Sequence, residues 1–104
     1  TTFVKYFINQ LQKINSLQET EITSPTFSLL NEYQVKDIRI KHYDLFRINK
    51  REDINNLDIF EKDNKLITLI EWPQLIDDTQ DIKSIDLTFS YLNDLNDRSV
   101  DIKV

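Results

Sequence analysis

The absence of glycine limits these 104 residues more than any other feature of the sequence. Ordinary chains carry about 7% glycine, and they use it where the backbone turns left-handed. Without it, tight turns are expected to fall on Asn and Asp, which tolerate that conformation best among the remaining residues. A Gly-rich phosphate loop cannot be built within these residues. There is no cysteine either, which excludes a disulfide framework, thiolate chemistry and a Cys-based metal site. A single histidine makes no zinc site without several carboxylates. The net charge of -5 and the lack of clustered Lys and Arg argue against a nucleic-acid groove. No apolar run approaches the roughly 18 residues of a membrane span, and no signal peptide is visible. The expectation is one cytoplasmic domain over residues 1–104.

The most informative stretch is residues 66–73, LITLIEWP. A short, nearly continuous apolar run without helical spacing predicts a strand covered on both faces, as at the centre of a parallel sheet. Glu71 stands at its carboxyl end, and Pro73 stops the pairing because it has no backbone donor. Ligands of open α/β sheets bind outside the carboxyl ends of strands, which makes Glu71 a candidate site residue.

Along the chain, residues 1–17 read as a helix. Phe3, Phe7, Leu11 and Ile14 form its apolar stripe, widened by Val4 and Ile8. Residues 18–24 are polar connection, and Pro25 pushes Ser24 to extended geometry. Residues 26–35 read as a strand, Lys36-Asp37 as a turn and 38–46 as a second strand, a candidate hairpin. In the second strand Ile38, Ile40, His42 and Asp44 share one face. Residues 49–62 read as a short helix capped by Asn49 with Glu52 as its capping-box partner, burying Ile54, Leu57 and Phe60. Asp63-Asn64 is the turn out, with Asn64 in the place of a glycine. Residues 74–81 are acidic connection. Residues 82–91 and 100–104 alternate apolar and polar as two antiparallel strands, with the loop 93–99 between them. The order is α/β with a mixed sheet, flanking helices and a C-terminal hairpin.

Asp44 and Glu71 each close a predicted strand. If the strands are neighbours, two carboxylates meet at one edge, an arrangement that suits Mg²⁺. The alternative is a pair of solvated strand-end acids. His42, on the face of Asp44, either orients a site residue or contacts a substrate, or else is a satisfied core or boundary group. The Thr26 hydroxyl, after Ser24-Pro25, either binds a metal or phosphate or serves the turn. Trp72 either stacks on a ring or fills the core rim. With no G-x-S-x-G and no H-E-x-x-H, hydrolase and metalloprotease readings are weak.

In order, Ser24-Pro25-Thr26-Phe27, Asn31-Glu32-Tyr33, His42-Tyr43-Asp44-Leu45-Phe46-Arg47 and Ile70-Glu71-Trp72-Pro73 resemble the TsaE (YjeE) family of small bacterial P-loop ATPases. The opening Thr1-Thr2-Phe3 is similar to the end of that family's phosphate motif, G-x-x-x-x-G-K-T-T-F. The resemblance implies a partial P-loop NTPase-like fold. It implies ATP and Mg²⁺ as ligands, and work with the TsaB–TsaD pair in making threonylcarbamoyladenosine at position 37 of tRNA. Thr1 would then be the hydroxyl on Mg²⁺, with Thr2 beside it, and Asp44 would help hold the metal. Glu71 would act at the γ-phosphate as base or water-orienting group. Thr26 would lie in a switch-like loop, and Trp72 beside the nucleotide. The glycine loop and its lysine are not in these residues, so the chain alone is expected not to turn over ATP; that would make it the remainder of a TsaE, either from a split or decayed gene or as a trimmed part of a longer chain. Two alternatives stand beside this one: a nucleotide-independent remnant that docks on TsaB–TsaD, and an unrelated acidic α/β binding domain. Direct tRNA binding is not expected.

Overall fold

The computed structural model describes residues 2–76, 84–91 and 98–104. Helix α1 spans Thr2–Ile14 and buries Val4, Ile8 and Gln12, three residues at i, i+4 and i+8. The expected stripe is therefore rotated. Phe7 and Leu11 are half-buried against the core, while Phe3 and Ile14 are exposed. Two interactions account for the rotation. The Phe3 ring lies 5.8 Å from Phe89 in the C-terminal strand pair. The Gln12 amide donates to Thr20 Oγ1 at 2.9 Å and its oxygen accepts from the Thr20 backbone N–H at 3.2 Å, so a polar residue is buried with its bonds satisfied.

The helix stops at Ile14, short of Leu17, in a Schellman arrangement: Leu17 N–H donates to Gln12 O at 2.8 Å and Ser16 N–H to Lys13 O at 3.0 Å. Ser16 takes φ 59° there, the place where glycine usually sits. Ser16→Gly is expected to stabilise the fold by about 0.5–1 kcal/mol, the left-handed cost of an L-residue less the entropy that glycine adds to the unfolded chain. A urea titration checks it, and an unchanged or lower midpoint counts against it.

The strand expected from residue 26 starts only at residue 30. Leu29 adopts φ 67° and its N–H donates to Pro25 O at 2.7 Å, so 26–29 form a turn. Strand β1 (Leu30–Val35) then pairs antiparallel with β2 (Ile38–Asp44) across the Lys36-Asp37 turn, in register Val35 with Ile38. Strand β2 ends at Asp44, two residues early, because the Asp44 side chain accepts the Phe46 N–H at 3.0 Å and turns the chain.

Strand β3 (Leu66–Glu71) lies parallel to β2, giving the order β1-β2-β3. So the middle strand of the described sheet is β2, and β3 is an outer strand, half-buried along its length. Its apolar run reports that both faces are covered and says nothing about pairing at its edges. On one face Ile67 and Leu69 join Ile40, Val35, Ile22 and the α1 residues Val4 and Ile8. On the other, Ile70 joins Tyr43, Leu45, Ile54 and Ile59.

The crossover from β2 to β3 carries a helix shorter than expected. It has one turn, α2 (Arg51–Ile54), followed by a 3₁₀ turn (Asn55–Leu57). Lys50 takes the N-cap position without a side-chain bond, so the Asn49 capping box does not form. Asp58 at φ 54° ends the 3₁₀ turn and reverses the chain. This brings Ile59 into the core and leaves Phe60 exposed. The Tyr43 hydroxyl donates to Leu57 O at 2.6 Å. Glu61 is held by Lys41 Nζ at 2.9 Å and Arg39 Nη2 at 2.5 Å, fastening the crossover to β2. The turn into β3 is closed by Asp63, whose side chain accepts the Lys65 N–H at 2.9 Å, while Asn64 stays out of the left-handed region.

Among the described residues the left-handed positions are Ser16, Leu29, Lys36, Asp58 and Trp72. Only Asp58 belongs to the expected Asn and Asp class. Strands β4 (Asp86–Tyr91) and β5 (Arg98–Lys103) form the expected antiparallel pair as a separate two-stranded sheet. Thr1, residues 77–81 of the expected connection, residues 82–83 and 92 and residues 93–97 of the expected loop lie outside the described residues, and the two strands begin at 86 and 98 rather than at the expected 82 and 100. The architecture is the mixed α/β class read from the sequence, consistent with a P-loop-like fold.

Candidate active site at the carboxyl ends of β2 and β3

The parallel register pairs Ile40 with Ile67, His42 with Leu69 and Asp44 with Glu71. Each pair points to the α1 face, and the last brings two carboxylates side by side where both strands end. The meeting of Asp44 and Glu71 depends on one fact, that β2 and β3 are neighbours in this register. The backbone locks the junction: Leu45 N–H donates to Glu71 O and Asp44 N–H to Leu29 O, both at 3.1 Å.

Asp44 is only 6% exposed. One oxygen accepts the Phe46 N–H, and the other is 3.4 Å from Thr26 Oγ1. Thr26 in turn shares a hydrogen with Ser24 Oγ at 2.6 Å. A hydroxyl pair therefore stands beside a buried carboxylate, delivered by the rigid Pro25 turn. Glu71 is more open than Asp44, and its Oε2 is 3.3 Å from His42 Nε2. That contact has ion-pair distance without hydrogen-bond alignment, and neither His42 ring nitrogen completes a hydrogen bond among the described residues. Burial pushes the His42 imidazole down to about 4, with the nearby Asp44 charge opposing the shift. The ring is therefore neutral at pH 7.

Trp72 follows Glu71 at φ 59°. A bulky residue in that region costs on the order of 1–2 kcal/mol, and such strain persists where the surroundings over-determine the backbone, often at functional sites. The Trp72 ring is half-exposed and packs 5.0 Å from the Phe46 ring. Nearby in sequence, the Arg47 guanidinium sits 4.6 Å from the centre of the exposed Phe27 ring. Phe46, Arg47 and Phe27 were not singled out individually in the sequence. The signal for Phe46 was its place two residues past Asp44, beside the residue that follows Glu71.

The structure thus brings together Asp44, Glu71, Thr26 and His42, with Trp72 next to Glu71. Thr2 is exposed at the start of α1. The donor set is carboxylate and hydroxyl oxygen, which suits a hard cation that keeps several of its waters. Among the described residues there is no cluster of three or more His, Cys, Asp or Glu for an all-protein metal cage, and no helix is long and apolar enough to cross a membrane.

The family described as threonylcarbamoyl adenosine biosynthesis protein TsaE matches residues 1–100. The tRNA threonylcarbamoyladenosine biosynthesis protein TsaE of Rickettsia conorii is 38% identical over 71 residues, 68% of this chain and 41% of that protein. Its counterpart in Rickettsia bellii is 33% identical over 89 residues, 86% of this chain and 62% of that protein. The chain spans about half the length of these curated relatives.

Proposed function

The chain belongs to the TsaE family, and on that premise we propose that it acts as the ATPase component of tRNA threonylcarbamoyladenosine synthesis, together with the TsaB–TsaD pair. The observation that carries this reading is the register of Asp44 against Glu71 at the carboxyl ends of two parallel strands, the place where α/β sheets hold their ligands. We treat residues 1–104 as one incomplete TsaE-type domain working in the cytoplasm.

Mg²⁺ fits the oxygen donors present. By the family resemblance Asp44 and the Thr1 hydroxyl would hold it, and it would supply neutralisation of phosphate charge. The Thr26 hydroxyl, already beside Asp44, would face the nucleotide from the 24–29 turn. Glu71 would orient or deprotonate the water that attacks the γ-phosphate. Thr2 and Trp72 would flank the nucleotide. Phosphoryl transfer is mostly positioning and charge stabilisation, and these residues hold no glycine with which to cradle phosphates. By itself the chain is therefore expected to be inactive on ATP. The acidic balance gives no reason to assign direct tRNA contact.

A second reading is docking on TsaB–TsaD without nucleotide. The exposed Phe27, Phe46, Arg47 and Trp72 favour it, since aromatic residues and arginine dominate protein interface hot spots. The test is reconstitution: purified TsaB–TsaD is mixed with the chain, alone or joined upstream to a strand and Gly-rich phosphate loop, and threonylcarbamoyladenosine on tRNA is measured. Turnover with the loop-bearing form only supports the ATPase reading. Co-purification with TsaB–TsaD and no turnover in either form supports docking. Neither association nor turnover overturns both readings; the third expectation, an unrelated acidic α/β domain, is already excluded by the family match over residues 1–100.

A further inference from the structure

His42 is fully buried on the α1 face of β2. Neither of its ring nitrogens has a hydrogen-bond partner among the described residues. Burying a polar group unpaired is costly, and an apolar side chain of similar shape would fill the space without that cost. The surroundings narrow what the ring is for. Ile40, before it on the same face, is sealed in the apolar cluster under α1. Leu69 lies opposite in the parallel register. Asp44, after it, has one oxygen on the Phe46 N–H and the other near Thr26. Glu71 Oε2 lies 3.3 Å from Nε2.

In sites without their substrate such contacts are often long or misaligned, and they tighten in the complex. We infer that His42 is the positioning residue of this site: its Nε2 stands 3.3 Å from Glu71 Oε2 and, when substrate is bound, donates to that oxygen and fixes the rotamer of the carboxylate. An imidazole that donates through Nε2 leaves Nδ1 without its proton, which fixes the tautomer. The inference rests on the role given to Glu71 under the proposed function. It assigns the ring no contact with the nucleotide.

The test is the tautomer, read by ¹⁵N-edited NMR of the histidine ring in the 104-residue chain at neutral pH, without nucleotide. The expected result is one state, protonated at Nε2 and bare at Nδ1. Glu71→Gln, which keeps an acceptor oxygen, is expected to retain that state, and Glu71→Leu is expected to lose it. A ring protonated at Nδ1 overturns the inference in the wild-type chain alone, whether or not the variants fold. So does an Nε2–H state that persists unchanged in Glu71→Leu. Because the readout needs no ATP, it separates two failures. An absence of turnover in every reconstitution with the expected tautomer sinks the ATPase reading and leaves the pairing in place. The wrong tautomer alongside normal turnover sinks only the pairing.

Discussion

Ile40→Ala is expected to destabilise the chain by about 3 kcal/mol, within the roughly 2–5 kcal/mol that truncating a buried Ile to Ala costs. Ile40 is fully buried at the middle of β2, itself the middle strand of the described sheet. It packs in the cluster that joins Val4 and Ile8 of α1 to Ile22 and Val35. Removing its side chain opens a cavity where sheet, helix and the following loop meet, so collapse from one side cannot fill it without displacing the others. A domain of this size has about 5–15 kcal/mol to lose. A urea titration should show a much lower midpoint with an unchanged slope. A loss below about 1 kcal/mol would mean that the α1 face is looser than described.

Glu71→Gln is expected to lower ATP-dependent turnover by about 100-fold or more in the reconstituted, loop-bearing form, the loss typical when a general base or water-orienting carboxylate is removed. The substitution keeps the size of the side chain and an oxygen toward His42, so stability should stay within about 0.5 kcal/mol of wild type. The informative result is the split between the two measurements. Equal turnover with Glu71→Gln would return Glu71 to the status of a solvated strand-end acid. A fall in turnover that merely tracks unfolding would do the same.

The sequence carried the faces and ends of the two site strands, but not that they are neighbours, which the register supplies, and not the turns. Alternation in IRIKHYD put Ile40, His42 and Asp44 on one face, and that face is the one β2 shows to α1. The apolar run LITLIE located β3 and its terminal carboxylate. Both signals come from burial, which composition records directly. What stayed hidden was set by tertiary contacts. Leu29 and Trp72 enter the left-handed region at φ 67° and 59°, and nothing in their own chemistry favours it. They do so beside a junction held by Asp44 N–H to Leu29 O and Leu45 N–H to Glu71 O.

The residue 49–62 pattern overstated α2 for a related reason. Asp58 reverses the chain after the 3₁₀ turn, and Tyr43, whose hydroxyl bonds Leu57 O, and Glu61, bound by Lys41 and Arg39, then hold the crossover close to β2. No local signal reports those partners. The rotation of α1 follows the same logic, since Gln12 is buried only because Thr20 meets it.

The measurement that bears most directly on the paired-carboxylate site is calorimetry of Mg-ATP binding. It would use the 104-residue chain, the chain joined upstream to a strand and Gly-rich phosphate loop, and that joined form carrying Asp44→Ala. The account predicts no micromolar binding by the first, binding by the second, and loss of the magnesium-dependent part of that binding in the third. Micromolar binding by the 104 residues alone, or Mg-dependent binding that survives Asp44→Ala unchanged, would contradict it.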